Sequence, residues 1–150
     1  MVKDVSTPRM PFGLLLKHVQ QALRSELEEA LAGSGLTLPQ AAVLSALRFR
    51  PGQSNAELAR ASFTRPQSMA EVLDGLLAAG LVTRRPHPAG GRALPLELTA
   101  DGARTVPAVH AAIGGVEARM LGDLSPAEQE LLRDLLDRCL VSLRPGARAS

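Results

Sequence analysis

The 150-residue chain has no tryptophan, no tyrosine and only three phenylalanines. A core without large rings must be assembled from leucine, alanine and valine, and sparse β-branched content favours helices over sheets. Cys139 is the only cysteine. That excludes a disulfide framework within one chain and suits a reducing compartment. No run of about 18 apolar residues occurs, so no membrane span is expected. The opening stretch MVKDVSTPRMPFGLLL lacks the long apolar run and small-residue cleavage site of a signal peptide, and the cytoplasm is the expected location. Phosphate-binding loops, nucleophile elbows, dinucleotide fingerprints and His-rich metal motifs are absent too. The glycines of AGGR at 89–92 precede no helix that would hold a phosphate. His18, His87 and His110 have no ligand spacing. No enzyme chemistry, no cofactor and no metal is therefore expected.

Lysine is scarce as well: Lys3 and Lys17 are the only two, and the remaining basic residues are arginines. The net charge of +2 hides an uneven placement. Arg48, Arg50, Arg60, Arg65, Arg84, Arg85 and Arg92 face only Glu57, Glu71 and Asp74, a local balance of +4. From Glu117 to Arg138 six acids face three arginines, a balance of −3. A basic middle and an acidic end suit a polyanionic partner for the middle.

What is present is helical punctuation. Leu15, Val19, Ala22, Leu23, Leu27, Ala30 and Leu31 recur at three- and four-residue spacing and predict a helix over 10–32, stopped by GSG at 33–35. A second helix opens near Thr37 or Leu38 with Pro39 in its first turn, buries Ala42, Val43, Leu44, Ala46 and Leu47, and breaks at RPGQ. Ser54 and Glu57 form a capping box for a short helix over 55–61. Thr64 and Gln67 repeat the device around Pro66 for a helix reaching Ala79, ended by a left-handed Gly80. Leu81–Arg84 reads as a strand, PHPAGG as a loop, and Leu94, Leu96 and Leu98 as the returning arm of a hairpin. Pro95 restricts that arm to an edge. Thr99 caps a helix over 100–121, with Pro107 a candidate kink. Ser125, Pro126 and Glu128 open the last helix. Leu131, Leu132, Leu135, Leu136, Cys139, Leu140 and Leu143 make its apolar stripe, and Cys139 reads as a buried, inert thiol.

This order predicts a mainly α fold with a small β-hairpin: a winged helix-turn-helix over 36–99, flanked by helical dimerisation regions at 10–35 and 100–144. In such a module the second helix enters the major groove by its N-terminal end. Arg65, Gln67 and Ser68 stand there, with side chains suited to base edges. Met69 either joins them or packs inside. The amides near Ser54 and Thr64 suit phosphates. Arg84 and Arg85 at the wing base are candidate phosphate contacts, and Arg92, beside Gly90 and Gly91, is a candidate minor-groove contact.

The segment from Leu36 to Gly102 resembles the MarR family of bacterial transcription regulators. The matching features are LTLPQ opening the second helix, ELA in the third, the leucine pattern of the recognition helix, GLVTR, and LTADG after the wing. The resemblance implies a homodimer built from the first and last helices, a palindromic operator, repression as the usual outcome, and release by a small aromatic or phenolic effector. It places Arg65, Gln67, Ser68 and Met69 where the family reads bases and Arg92 where its wing enters the minor groove. Most members carry an aspartate two residues before that arginine; here Gly90 stands there, and the brace is missing. The stripe on 131–143, too wide for one aromatic-poor monomer, supports an isologous dimer independently. Candidate dimer residues are Leu15, Val19, Leu132, Leu135, Leu136, Cys139, Leu140 and Leu143. The alternative is a winged-helix module that binds protein alone.

Overall fold

A computed structural model of the chain describes residues 9–86 and 94–143. Its elements are α1 (Phe12–Leu31), a 3-10 turn (Ala32–Ser34), α2 (Leu38–Phe49), α3 (Asn55–Ala61), α4 (Pro66–Ala78), β1 (Val82–Arg84), β2 (Leu96–Leu98), α5 (Ala100–Leu121) and α6 (Pro126–Leu143). The chain divides into two compact units, Met1–Val116 and Glu117–Ser150, with the boundary inside α5.

In the first unit, polar caps fix where helices begin. The Thr37 hydroxyl accepts from the Gln40 amide at 3.3 Å, and Gln40 accepts from the Thr37 amide at 3.0 Å. Ser54 and Glu57 do the same for α3. Each box satisfies amides that the first helical turn leaves without partners. α4 starts differently from the expected Thr64 cap. Pro66 occupies the first helical position and drives the preceding residue into extended backbone, so Arg65 (ψ 142°) is the N-cap and contributes no side-chain bond. The Thr64 hydroxyl donates to the Ser62 carbonyl instead, at 3.1 Å.

The core of this unit joins Val43, Leu44 and Leu47 of α2, Leu58 and Ala59 of α3, Met69, Leu73 and Leu76 of α4, Val82 and Leu96 of the strands, and Val106 of α5. Ala41, not Ala42, is the buried alanine at the start of α2, where it packs with Leu31 and Val109. The strands pair antiparallel, Val82 with Leu98 and Arg84 with Leu96. Both are shorter than the alternation suggested: Leu81, Leu94 and Pro95 lie outside them. A further bridge ties Gln53 to Leu96. The buried Gln53 amide also donates to the carbonyls of Ala46 (3.2 Å) and Arg50 (2.8 Å), closing the C-terminal end of α2.

Gly102 explains the LTADG stretch. The Thr99 hydroxyl accepts from the Gly102 amide at 3.0 Å and donates to the Gly80 carbonyl at 2.6 Å. A Cβ at 102 would lie 2.0 Å from the Leu81 carbonyl oxygen, so only glycine lets α5 dock against that loop. α5 then runs through Pro107 without a break.

Apolar side chains of α1 are open in the single chain: Leu15 is 49% and Val19 44% exposed. In the second unit, α6 is started by the Ser125–Glu128 box, as the sequence predicts. It buries no residue of its own: Leu132, Leu135, Leu136, Leu140 and Leu143 are all exposed. Cys139, expected to be buried, is exposed with them, because the leucines of its own stripe are themselves uncovered. Among the described residues no single helix is long and apolar enough to cross a membrane.

Candidate nucleic-acid interface

α3 and α4 pack closely, and buried Leu58, Leu73 and Leu76 hold them. Met69 is 2% exposed and belongs to this core. It is therefore corrected from a base-reading residue to the anchor that fixes the rotation of α4. With Met69 turned inward, Arg65, Gln67 and Ser68 are left exposed at the same end of the helix. Because no side chain caps α4, the amides of its first turn remain open to an acceptor from outside.

Ser54 is half-buried and committed to its cap. Its hydroxyl donates to Glu57 Oε2 at 3.0 Å and accepts from the Glu57 amide at 3.2 Å, which leaves it little capacity for a phosphate. The bond from the Ser54 amide to Glu57 Oε2 (2.8 Å) is the main reason the Glu57 carboxyl sits below the ordinary carboxylate range. The Ser54 hydroxyl adds to it, burial opposes it, and the Arg50 and Arg60 charges assist. Arg50 reaches Glu57 Oε1 at 3.1 Å, fastening the end of α2 to α3. Thr64 is half-buried between Ser62 and α4.

At the wing base the two arginines part company. Arg85 pairs with Glu97 of β2 at 2.7 Å, a diagonal cross-strand contact that offsets its charge. Arg84 is exposed. Arg92, Gly90, Gly91 and His87 lie outside the described residues. His110 is held by Ser45, Nε2 to Oγ 3.2 Å, and its ring stacks on Phe49 at 5.6 Å. Among the described residues no group of three or more His, Cys, Asp or Glu is placed to hold a metal.

Sequence reasoning missed a cavity in the first unit. It has a volume of about 280 Å³. Its walls come from Arg24 of α1, Leu38, Pro39 and Ala42 of α2, and Ser62, Thr64, Ser68, Met69 and Val72 around the start of α4. The only signal for it was Ala42, an alanine on the apolar side of α2 that borders the cavity instead of joining the core. Asn55 was missed too. Its side-chain amide donates to the Pro66 carbonyl at 3.3 Å and ties the first residue of α3 to the first of α4.

Comparison with known proteins agrees with this geometry. The MarR family profile matches residues 34–93. The HTH-type transcriptional repressor Rv2887 of Mycobacterium tuberculosis is 39% identical over 128 residues, which is 85% of this chain and 92% of that protein. The transcriptional regulator HosA of Escherichia coli O111:H- is 34% identical over 105 residues, 70% of this chain and 78% of that one. The crystal structure of Rv2887 in complex with DNA superposes with a TM-score of 0.74 at 37% identity, covering 87% of this chain and 98% of that chain. The complex of Rv2887 with salicylic acid gives 0.72 at 38%, covering 87% and 97%. Helix order, the two-stranded wing and the relatives converge: this chain belongs to the MarR family of winged helix-turn-helix transcription regulators.

Proposed function

We propose that the protein is a homodimeric, sequence-specific DNA-binding repressor, released from its operator by a small aromatic acid or phenol. One observation carries the reading: the exposed Arg65, Gln67 and Ser68 stand together on the first turn of a helix whose rotation is fixed by buried Met69, Leu73 and Leu76. A polar turn rigidly mounted on an apolar core is what base recognition in a major groove requires. Arginine there matches guanine bidentately and glutamine matches adenine. Arg84 serves as a phosphate contact, while Arg85, paired with Glu97, braces the wing. Such a protein works by binding and not by catalysis, and it acts where the bacterial chromosome is, in the cytoplasm.

Dimerisation supplies the second half-site. The open leucines of α6 and of α1 are surfaces that a two-fold partner would bury, with Cys139 inside the covered stripe. The effector reading rests on the cavity beside α4. Apolar Leu38, Pro39, Met69 and Val72 suit a ring; Ser62, Thr64 and Ser68 supply hydroxyls, and Arg24 a cation for a carboxylate. Arg24 is now paired with Glu28 at 2.8 Å, a partner that a ligand anion would replace. Since Ser68 and Met69 belong to the recognition helix, an occupant would bear directly on its position. The Rv2887 complex with salicylic acid supports this ligand class.

The test is selection from a randomised DNA pool, with affinity measured at two salt concentrations and with salicylate added. An enriched inverted repeat with half-sites one helical turn apart, a steep salt slope and release by salicylate are expected. No enrichment and no salt slope would move the function to protein binding.

A further inference from the structure

Two of the helix ends around the helix-turn-helix are closed in the same way, with different residues. At the end of α4, the Gly80 amide donates to Leu77 (3.0 Å) and the Leu81 amide to Leu76 (3.0 Å), with Gly80 at φ 69°. At the end of α3, the Phe63 amide donates to Arg60 (3.2 Å) and the Thr64 amide to Ala59 (2.9 Å), with Phe63 at φ 51°. Both are the paired bonds of a left-handed helix stop, a position that glycine fills without strain. Among the described residues Phe63 is the only non-glycine with positive φ. Its side chain is 86% exposed, so little burial offsets that backbone conformation. Its neighbours Ser62 and Thr64 line the cavity, while Phe63 does not. Backbone conformation and burial both argue against phenylalanine here, so its benefit must come from a partner.

The surroundings say which partner. Phe63 lies between Arg60, exposed on the last turn of α3, and Arg65, exposed at the start of α4. Two exposed arginines within three residues of the ring suit a polyanion, and the apolar groups that DNA presents in the major groove are the thymine methyls. We infer that Phe63 is a specificity-determining residue that packs on a thymine methyl beside the bases read by Arg65 and Gln67. This rests on the DNA-binding reading above, and adds to it a base preference set by the turn rather than by the helix.

The test compares wild-type protein with Phe63→Gly on the selected operator and on operators in which each thymine in turn is replaced by deoxyuridine, which removes only the methyl. Phe63→Gly suits the left-handed backbone, so it is expected to fold at least as stably as wild type. Wild type should lose about four-fold in affinity per half-site at one thymine, the value of one buried carbon. Phe63→Gly should bind the normal operator more weakly and should not respond to deoxyuridine at that position. Equal binding of the operator by both proteins would overturn the inference. So would equal losses of both on every deoxyuridine operator, or an effect of Phe63→Gly confined to salicylate release or to dimer mass. If the wild type selects no operator at all, the DNA-binding reading fails first, and the two failures are told apart.

Discussion

Replacing Gly102 by alanine isolates one close contact. A Cβ at this position would stand 2.0 Å from the Leu81 carbonyl oxygen, and backbone atoms cannot yield the way a flexible side chain can. The start of α5 would have to retreat by about 1 Å, an overpacking cost of about 1–3 kcal/mol. That carbonyl accepts the Thr99 amide at 3.1 Å, and the Thr99 hydroxyl holds the Gly80 carbonyl at 2.6 Å. Retreat weakens both bonds, at about 1 kcal/mol each. Against this, alanine is favoured over glycine in a helix by about 1 kcal/mol. The balance is a loss of about 2–4 kcal/mol, which for a chain of this size lowers the melting temperature by roughly 4–16 °C. Gly114 lies in the same helix, and a Cβ there would meet nothing within 4 Å, so Gly114→Ala has the propensity gain without the clash. The assay is thermal unfolding by circular dichroism at matched protein concentration, since a dimer melts in a concentration-dependent way. If Gly102→Ala melts at or above wild type, close docking of α5 on Leu81 does not constrain this position.

Arg65→Ala should cost about 1–3 kcal/mol in operator affinity and relax the preference at one base pair, measured by binding to single-site operator variants. Leu136→Glu should sediment as a monomer at concentrations where wild type is dimeric, while the first unit keeps its helical signal. Arg24→Ala should weaken salicylate release by about 1.5–3 kcal/mol, the value of a hydrogen bond to a charged group, with operator affinity unchanged in its absence. The Glu57 and Glu128 carboxyls are both held below the ordinary carboxylate range, chiefly by their serine amides. A lowered folded-state value means that their contribution is present above the unfolded-state value and fades as pH falls through the folded one. Glu128→Gln should therefore be less stable than wild type at neutral pH and converge with it as pH falls through the folded-state value, which flattens the acid limb of the stability profile.

Local chemistry determined much of this protein before any tertiary contact was known. The start of α3, the boxes at Ser54 and Ser125 and the stop at Gly80 follow from residues within a few positions of one another. So does the turn proposed to read bases, because Arg65, Gln67 and Ser68 are polar residues at the head of an apolar-faced helix. Other features needed the fold. Thr64 lost its cap to Pro66 because backbone restriction by proline outweighs one side-chain bond. Met69 could face either way until Leu73 and Leu76 set the rotation of α4 against α2 and α3. Arg85 became a brace only because strand register brings Glu97 within 2.7 Å. The cavity beside α4, the need for glycine at 102 and the exposed ring at Phe63 come from segments distant in sequence or from backbone angles that composition does not report. Periodicity tells which side chains are apolar; only packing decides which of them are covered, and by what.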